Sequence, residues 1–172
     1  MKGKQLYLFP RARIILVGAA ASGKDFVRQA LSKRGFKHAV SYTTRPPRPG
    51  EVDGKDYYFI SVKEFEKKIS QWFWYEYVPF NSWYYGTSKE QMETCDTFIM
   101  TPSGISKLHP EDRKNSFIIF MDIPENIRRE RLAIRVMPGD NLERRIEADK
   151  KDFENFTDFD LKINSSDLAE FM

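Results

Sequence analysis

The sequence predicts an α/β fold: a parallel sheet flanked by helices, with a strand-rich insertion carried on it. Three observations predict this. The strongly apolar run Ile14–Val17 leads into a glycine-bounded loop and then directly into a helical pattern. Towards both ends of the chain, short apolar strand segments alternate with amphipathic segments, as βαβ units do. The middle, about Ala39 to Thr87, is strand-rich and holds one helical segment.

In chain order, a strand is expected at Arg13–Val17 and a helix at Lys24–Arg34, where Phe26 and Ala30 fall at i,i+4. Ala39–Tyr42 reads as a second strand. Thr43 to Asp56 carries Pro46, Pro47, Pro49, Gly50 and Gly54, which exclude a helix. Tyr57–Val62 follows as a strand, Lys63–Ser70 as a helix with Phe65 and Ile69 on one face, and Phe73–Val78 as a strand of aromatics. The remaining strands are Thr97–Thr101, Phe117–Ile123 and Leu161–Ile163; the remaining helices are Lys89–Thr94, Pro124–Arg135 and Asn141–Phe156.

A chain of 172 residues with 41% apolar and 31% charged residues has material for one folded domain. A net charge of +3 excludes a polybasic binder, so no nucleic-acid partner is expected. The longest apolar run, Ile14 to Ala21, is far short of the roughly 20 residues of a membrane span, so no membrane partner is expected. The single cysteine, Cys95, permits neither an internal disulfide nor a cysteine zinc site, and a cytoplasmic protein is expected. Oligomeric state is not legible.

Gly18, Ala19, Ala20, Ala21, Ser22, Gly23 and Lys24 fit the phosphate-loop pattern GxxxxGK in its required context, after a strand and before a helix. Glycines let backbone N–H groups curl around phosphate oxygens, the helix presents its positive N-terminus, and Lys24 adds a mobile charge. The hydroxyl residue that normally follows the lysine is Asp25 here. A carboxylate can hold Mg²⁺ or its waters, so Asp25 is the candidate metal ligand. A second anion site is suggested by Arg45 and Arg48 in the proline-stiffened loop, whose planar forks suit a phosphate, with Tyr57 and Tyr85 as hydroxyl donors.

The block TTRPPRPGEVDGKDYYF, followed by the aromatic strand with Glu76, then YYGT, then RLxxR, a late arginine and Asn164, resembles the guanylate kinase family from Gly18 to Asn164. That resemblance implies a P-loop NTPase core (11–38, 88–127 and 146–172), a strand-rich subdomain binding a nucleoside monophosphate (39–87), and a short lid (128–145). It implies a kinase transferring phosphate from ATP, with Mg²⁺, to GMP or dGMP. The ATP side would comprise residues Gly18 to Asp25 and Asn164. Arg45, Arg48, Tyr57 and Tyr85 would hold the acceptor phosphate. Ser41, Glu51, Glu76, Gly86, Thr87 and Thr101 would surround the base. Lys24, Arg45 and the lid arginines Arg131, Arg135 and Arg145 would stabilise the charge that moves. A carboxylate such as Glu76 can accept from guanine N1–H and the exocyclic amine together, which adenine cannot match. No general base is expected, because a monophosphate oxygen is already anionic; His38 and His109 are read as structural or surface residues.

The sequence departs from the family at several points. Ile99 and Thr101 stand where the family carries two aspartates, one reading the guanine amine and one supporting the lysine and metal; Asp122, ending the apolar strand Phe117–Met121, is read first as a strand-end cap and only second as a substitute acid. The SGKD variant also resembles ribose 1,5-bisphosphate phosphokinases and some viral deoxynucleotide kinases. Non-enzymatic guanylate-kinase-like binding modules form a third class, but those usually lose the phosphate loop. Arg128, Arg129 and Arg144 have no counterpart and are read as solvated helix charges near Glu130 and Glu143.

Overall fold

The structure, a computed structural model, describes residues 12–80, 82–134 and 141–164. Strand β1 (Arg13–Val17) lies inside the first sheet, hydrogen-bonded in parallel to β6 (Thr97–Ile99) on one side and β7 (Ser116–Met121) on the other. Strand β8 (Leu161–Ile163) extends it, giving the all-parallel order β6-β1-β7-β8. Ile15, Leu16 and Val17 are each fully buried, so both faces of β1 are covered, as a parallel sheet requires. Ile15, Val17, Phe98, Ile118 and Phe120 form the main core, and Phe153, Phe156 and Phe159 close over Phe120 from the C-terminal side.

The second sheet has the order β3-β2-β5-β4. It comprises β2 (Tyr42–Thr43), β3 (Tyr58–Phe59), β4 (Trp74–Phe80) and β5 (Trp83–Ser88). β4 and β5 form an antiparallel hairpin, while β2 pairs in parallel with β3. This sheet is small, and aromatic side chains supply its core. Helix α2 (Val62–Ser70) presses the fully buried Phe65 against Trp74 at 4.2 Å and Tyr84 at 5.1 Å, both stacked. Gly86 is required here by contact: a Cβ would stand 2.9 Å from the Trp74 ring.

Helices α1 (Lys24–Lys33), α3 (Lys89–Thr94), α6 (Glu125–Ala133) and α7 (Leu142–Phe153) fall where the sequence predicts them, with shorter C-terminal ends for α1, α6 and α7. Four local expectations change. The strand expected at Ala39–Tyr42 begins only at Tyr42, because the Ala39 N–H is spent on the Thr97 carbonyl at 2.9 Å, at the edge of the other sheet. Val62 opens α2 instead of closing a strand, because the Ser61 hydroxyl accepts from the Glu64 N–H and caps the helix. Trp83–Ser88 is a full strand. Two short helices were not expected, α4 (Pro102–Ile105) and α5 (Pro110–Lys114), each opened by a proline in the first turn.

The aromatic stack gives a stability prediction. Phe65→Ala should destabilise the fold by about 3–5 kcal/mol, because the cavity lies between two rings that cannot collapse onto each other. Chemical denaturation reads this directly, and a loss under about 1 kcal/mol would mean that Phe65 does not hold the second sheet.

Candidate active site

The two sheets face one another across a cleft of about 860 Å³, within the range of small-molecule sites. One end is the loop after β1. Gly18 has no room for a side chain, since a Cβ would lie 2.7 Å from the Ser22 hydroxyl and 2.8 Å from the Met121 carbonyl. Ala21 and Gly23 take positive φ values of 61° and 93°, which turn the chain back so that α1 starts at Lys24. The Lys24 ammonium donates to the Gly18 carbonyl at 2.5 Å and the Ala19 carbonyl at 2.8 Å. Burial pulls Lys24 down to about 8, against the pull of Asp149 and Asp25 in the other direction. Asp25 is exposed at the cleft mouth and pairs with Arg28 at 3.2 Å.

Across the cleft, Arg45 is buried and held in place. The Glu51 carboxylate accepts from its terminal nitrogen at 2.8 and 2.9 Å and from the Arg48 N–H at 2.7 Å. Glu51 thus fixes the proline loop rather than facing the cleft alone. The Arg45 guanidinium also lies 5.4 Å from the Tyr57 ring centre. Burial, together with Arg45 and Arg145, holds Arg48 below its ordinary value. Three guanidiniums approaching one another in a half-buried cleft make a receptor for an anion. Tyr57, pushed up to about 12 by burial and by Tyr85, stays a neutral hydroxyl beside them.

Further in, Glu76 on β4 is 7% exposed. Its Oε1 accepts from the Thr87 hydroxyl at 2.8 Å, while Oε2 is buried and has no hydrogen-bond partner among the described residues. Burial raises its carboxyl above the usual range. Ser41, Tyr85, Gly86, Ile99, Met100 and Thr101 line the same cleft. Thr101 is committed elsewhere, its hydroxyl accepting from the Gly104 N–H as the cap of α4.

Helices α6 and α7 bring further charge to the loop. Arg131 donates to the Ala21 carbonyl at 3.0 Å, and Arg145 and Arg144 line the cleft. Arg135 lies outside the described residues. Asn164 stands after β8 and is not among the residues lining the cleft. Two readings are corrected. Arg128 is no solvated charge: it is buried, donates to the Ile123 carbonyl and pairs with Asp149 at 3.3 Å. Asp122 is not the substitute acid of the cleft, because it is exposed and paired with Lys162 at 2.7 Å. The carboxylate beside the loop is Asp149, whose Oδ2 accepts from the Ala20 N–H at 2.9 Å. Its only sequence signal is its spacing of three from Ile146, which shares its buried helix face.

Residues 10–172 match the sequence model of the guanylate kinase family. The chain belongs to this family. The guanylate kinase of Wolinella succinogenes is 32% identical over 171 residues, covering 92% of this chain and 79% of that protein. The guanylate kinase of Onion yellows phytoplasma is 39% identical over 121 residues, covering 65% of this chain and 57% of that protein. The matched segment thus spans little more than half the length of that relative. In fold, the crystal structure of guanylate kinase from Anaplasma phagocytophilum superposes with a TM-score of 0.70 at 24% identity, over 94% of this chain and 81% of that one.

Within this guanylate kinase fold, His38 gives a pH prediction. Its Nδ1 lies 3.2 Å from the Thr97 hydroxyl, and burial and Arg28, opposed by Asp25, lower it to about 4. The folded state then binds fewer protons than the unfolded chain between about pH 4 and 6.5. Stability from this group is present above pH 6.5 and lost as pH falls towards 4, by roughly 2–3 kcal/mol. His38→Gln should flatten that dependence. Urea denaturation at intervals from pH 4 to 8 tests it, and a wild-type minus variant difference that is constant with pH contradicts it.

Proposed function

We propose that the protein transfers the γ-phosphate of ATP to GMP or dGMP. The observation that carries this reading is one cleft with a phosphate loop at one end, an arginine receptor opposite, and a buried carboxylate beyond. A monophosphate oxygen of the acceptor attacks the γ-phosphorus, the bond to the β–γ bridging oxygen breaks, and ADP leaves carrying that oxygen. The attacking oxygen is already anionic, so no side chain need remove a proton. Lys24 and the N–H groups of the loop take the ATP phosphates; Arg45, Arg48 and Tyr57 take the acceptor phosphate. Arg131 and Arg145 stand between and offset the charge on the moving group.

The donors present fit Mg²⁺ as phosphate-bound Mg²⁺ is commonly held, by one or two carboxylates, waters and the phosphates themselves. Asp25, exposed at the cleft mouth beside Lys24, is the residue that would hold it. The ion would shield the charge of the phosphates and fix their geometry.

Glu76 supports a base bearing adjacent donors. Its unpartnered Oε2 and its Oε1 can accept from N1–H and the exocyclic amine of guanine, whereas adenine at N1 offers only an acceptor.

The test is ADP release with ATP against GMP, dGMP, AMP, dTMP, UMP and ribose 1,5-bisphosphate. Release driven by GMP or dGMP supports the reading, and release with the sugar bisphosphate alone overturns it. Lys24→Ala should lower kcat at least 100-fold with the fold retained, the scale of losing one charge stabiliser. Unchanged turnover would remove the phosphate loop from the mechanism. Glu76→Gln should act in two directions. Relief of a buried, unsatisfied carboxylate should raise Tm by a few degrees. The KM for GMP should rise at least 10-fold while that for a poor acceptor such as AMP changes little; an equal loss for both would exclude base reading by Glu76.

A further inference from the structure

The loop after β1 contains a residue that its backbone does not favour. Ala21 sits at φ 61° without the freedom of glycine, a conformation that costs roughly 1–2 kcal/mol for an ordinary residue. Such strain persists only where neighbouring groups hold it. Here one side chain holds each end of the Ala20–Ala21 segment. On the N-terminal side, the Asp149 carboxylate of α7 accepts from the Ala20 N–H at 2.9 Å. On the C-terminal side, the Arg131 guanidinium of α6 donates to the Ala21 carbonyl at 3.0 Å. Asp149 is itself fixed: it is 5% exposed and its Oδ2 is shared with the buried Arg128, which in turn donates to the Ile123 carbonyl at the end of the core sheet.

We propose that Asp149 is the positioning residue of the phosphate loop, clamping it with Arg131 in the left-handed turn so that it presents its N–H groups to phosphate without a glycine at position 21. This rests on the reading that the loop binds the phosphates of ATP. The carboxylate comes from α7, whereas the end of β6 offers only Ile99 and Thr101 to the same cleft. A charge-assisted bond to a backbone N–H is about twice as strong as a neutral one, enough to offset the strain at Ala21. Asp149 touches the loop and not the reacting atoms, so its loss should weaken nucleotide binding rather than abolish chemistry.

The experiment uses the full chain and two readouts. In the protein without nucleotide, hydrogen exchange of the Ala20 amide, followed by NMR, should be at least 10-fold faster in Asp149→Ala than in the wild type. By calorimetry, MgADP affinity should fall about 10-fold, with the KM for the acceptor within two-fold. Asp149→Ala leaves the Arg128 guanidinium buried and unpaired, so Asp149→Asn, which keeps an acceptor of the same shape, is measured alongside and should show a smaller change of the same sign. Adding Ala21→Gly to either variant removes the strain and should restore MgADP affinity to within about three-fold of wild type. Unchanged Ala20 exchange and unchanged affinity in both variants overturn the proposal. So does an affinity loss that Ala21→Gly leaves untouched, since Asp149 would then act through its charge near Lys24 or through Arg128 and not by holding the turn. If the wild type binds no adenine nucleotide, the functional reading fails, while the Ala20 exchange still decides whether Asp149 holds the loop.

Discussion

Everything at the end of the cleft formed by the loop after β1 depends on the Lys24 ammonium lying against its own loop. A cation placed there needs acceptors, and it takes them from the Gly18 and Ala19 carbonyls. That demand fixes the loop's inner curve. The outer curve follows from Gly18, packed against the Met121 carbonyl, and from the positive φ values at Ala21 and Gly23. The core sheet delivers both sides of this arrangement: β1 runs into Gly18, and β7 ends at Met121 directly beneath it. A parallel sheet puts several strand ends at one edge, so the loop rests on backbone that is buried and rigid.

The second sheet meets a different constraint. Its strands are short, and two of them hold only two residues each. Aliphatic side chains on so small a surface would bury little area. The stack of Trp74, Phe65 and Tyr84, with Tyr42 against Tyr58 at 4.7 Å, concentrates area in few residues. The same strands carry Glu76, Tyr85 and Thr87, so the packing that holds this sheet also sets the position of the cleft wall.

Much of this was legible in the sequence because it is local. The phosphate loop is a run of adjacent residues flanked by elements of recognisable period, and Arg45 to Tyr57 is one continuous segment stiffened by prolines. The whole of β1, α3 and β8 could be read residue for residue, since each is bounded by polar or turn residues. The short helices α4 and α5 escaped because four or five residues carry no period, although Thr101-Pro102 and His109-Pro110 are helix-start signals in hindsight. Asp149 and Arg128 escaped for another reason. Both lie in helices dense with Lys, Arg and Glu, where a charge is ordinarily solvated, and Asp149 is 129 residues from the N–H that it accepts. Burial of a charged pair is decided by tertiary neighbours, and no local pattern announces it.

The cleft also carries its polarity across its length. At one side, burial first and then the neighbouring guanidiniums of Arg45 and Arg145 hold Arg48 below its ordinary value, and an anion there relieves the repulsion. Deeper in, Glu76 carries a buried oxygen that only a hydrogen-bond donor satisfies. A ligand meets both demands only if it has a phosphate at one end and paired donors at the other, and only in one orientation. A reversed ligand sets phosphate against carboxylate, and a base offering acceptors leaves Oε2 unpaired. Discrimination of this kind arises from what the wrong ligand leaves unsatisfied, and it requires that the protein alone bear the strain of an unpaired carboxylate. The loop bears its own strain at Ala21, held by Arg131 and Asp149. Both ends of the cleft therefore carry a local cost that the surrounding fold sustains, at Glu76 on β4 and at Ala21 in the loop after β1.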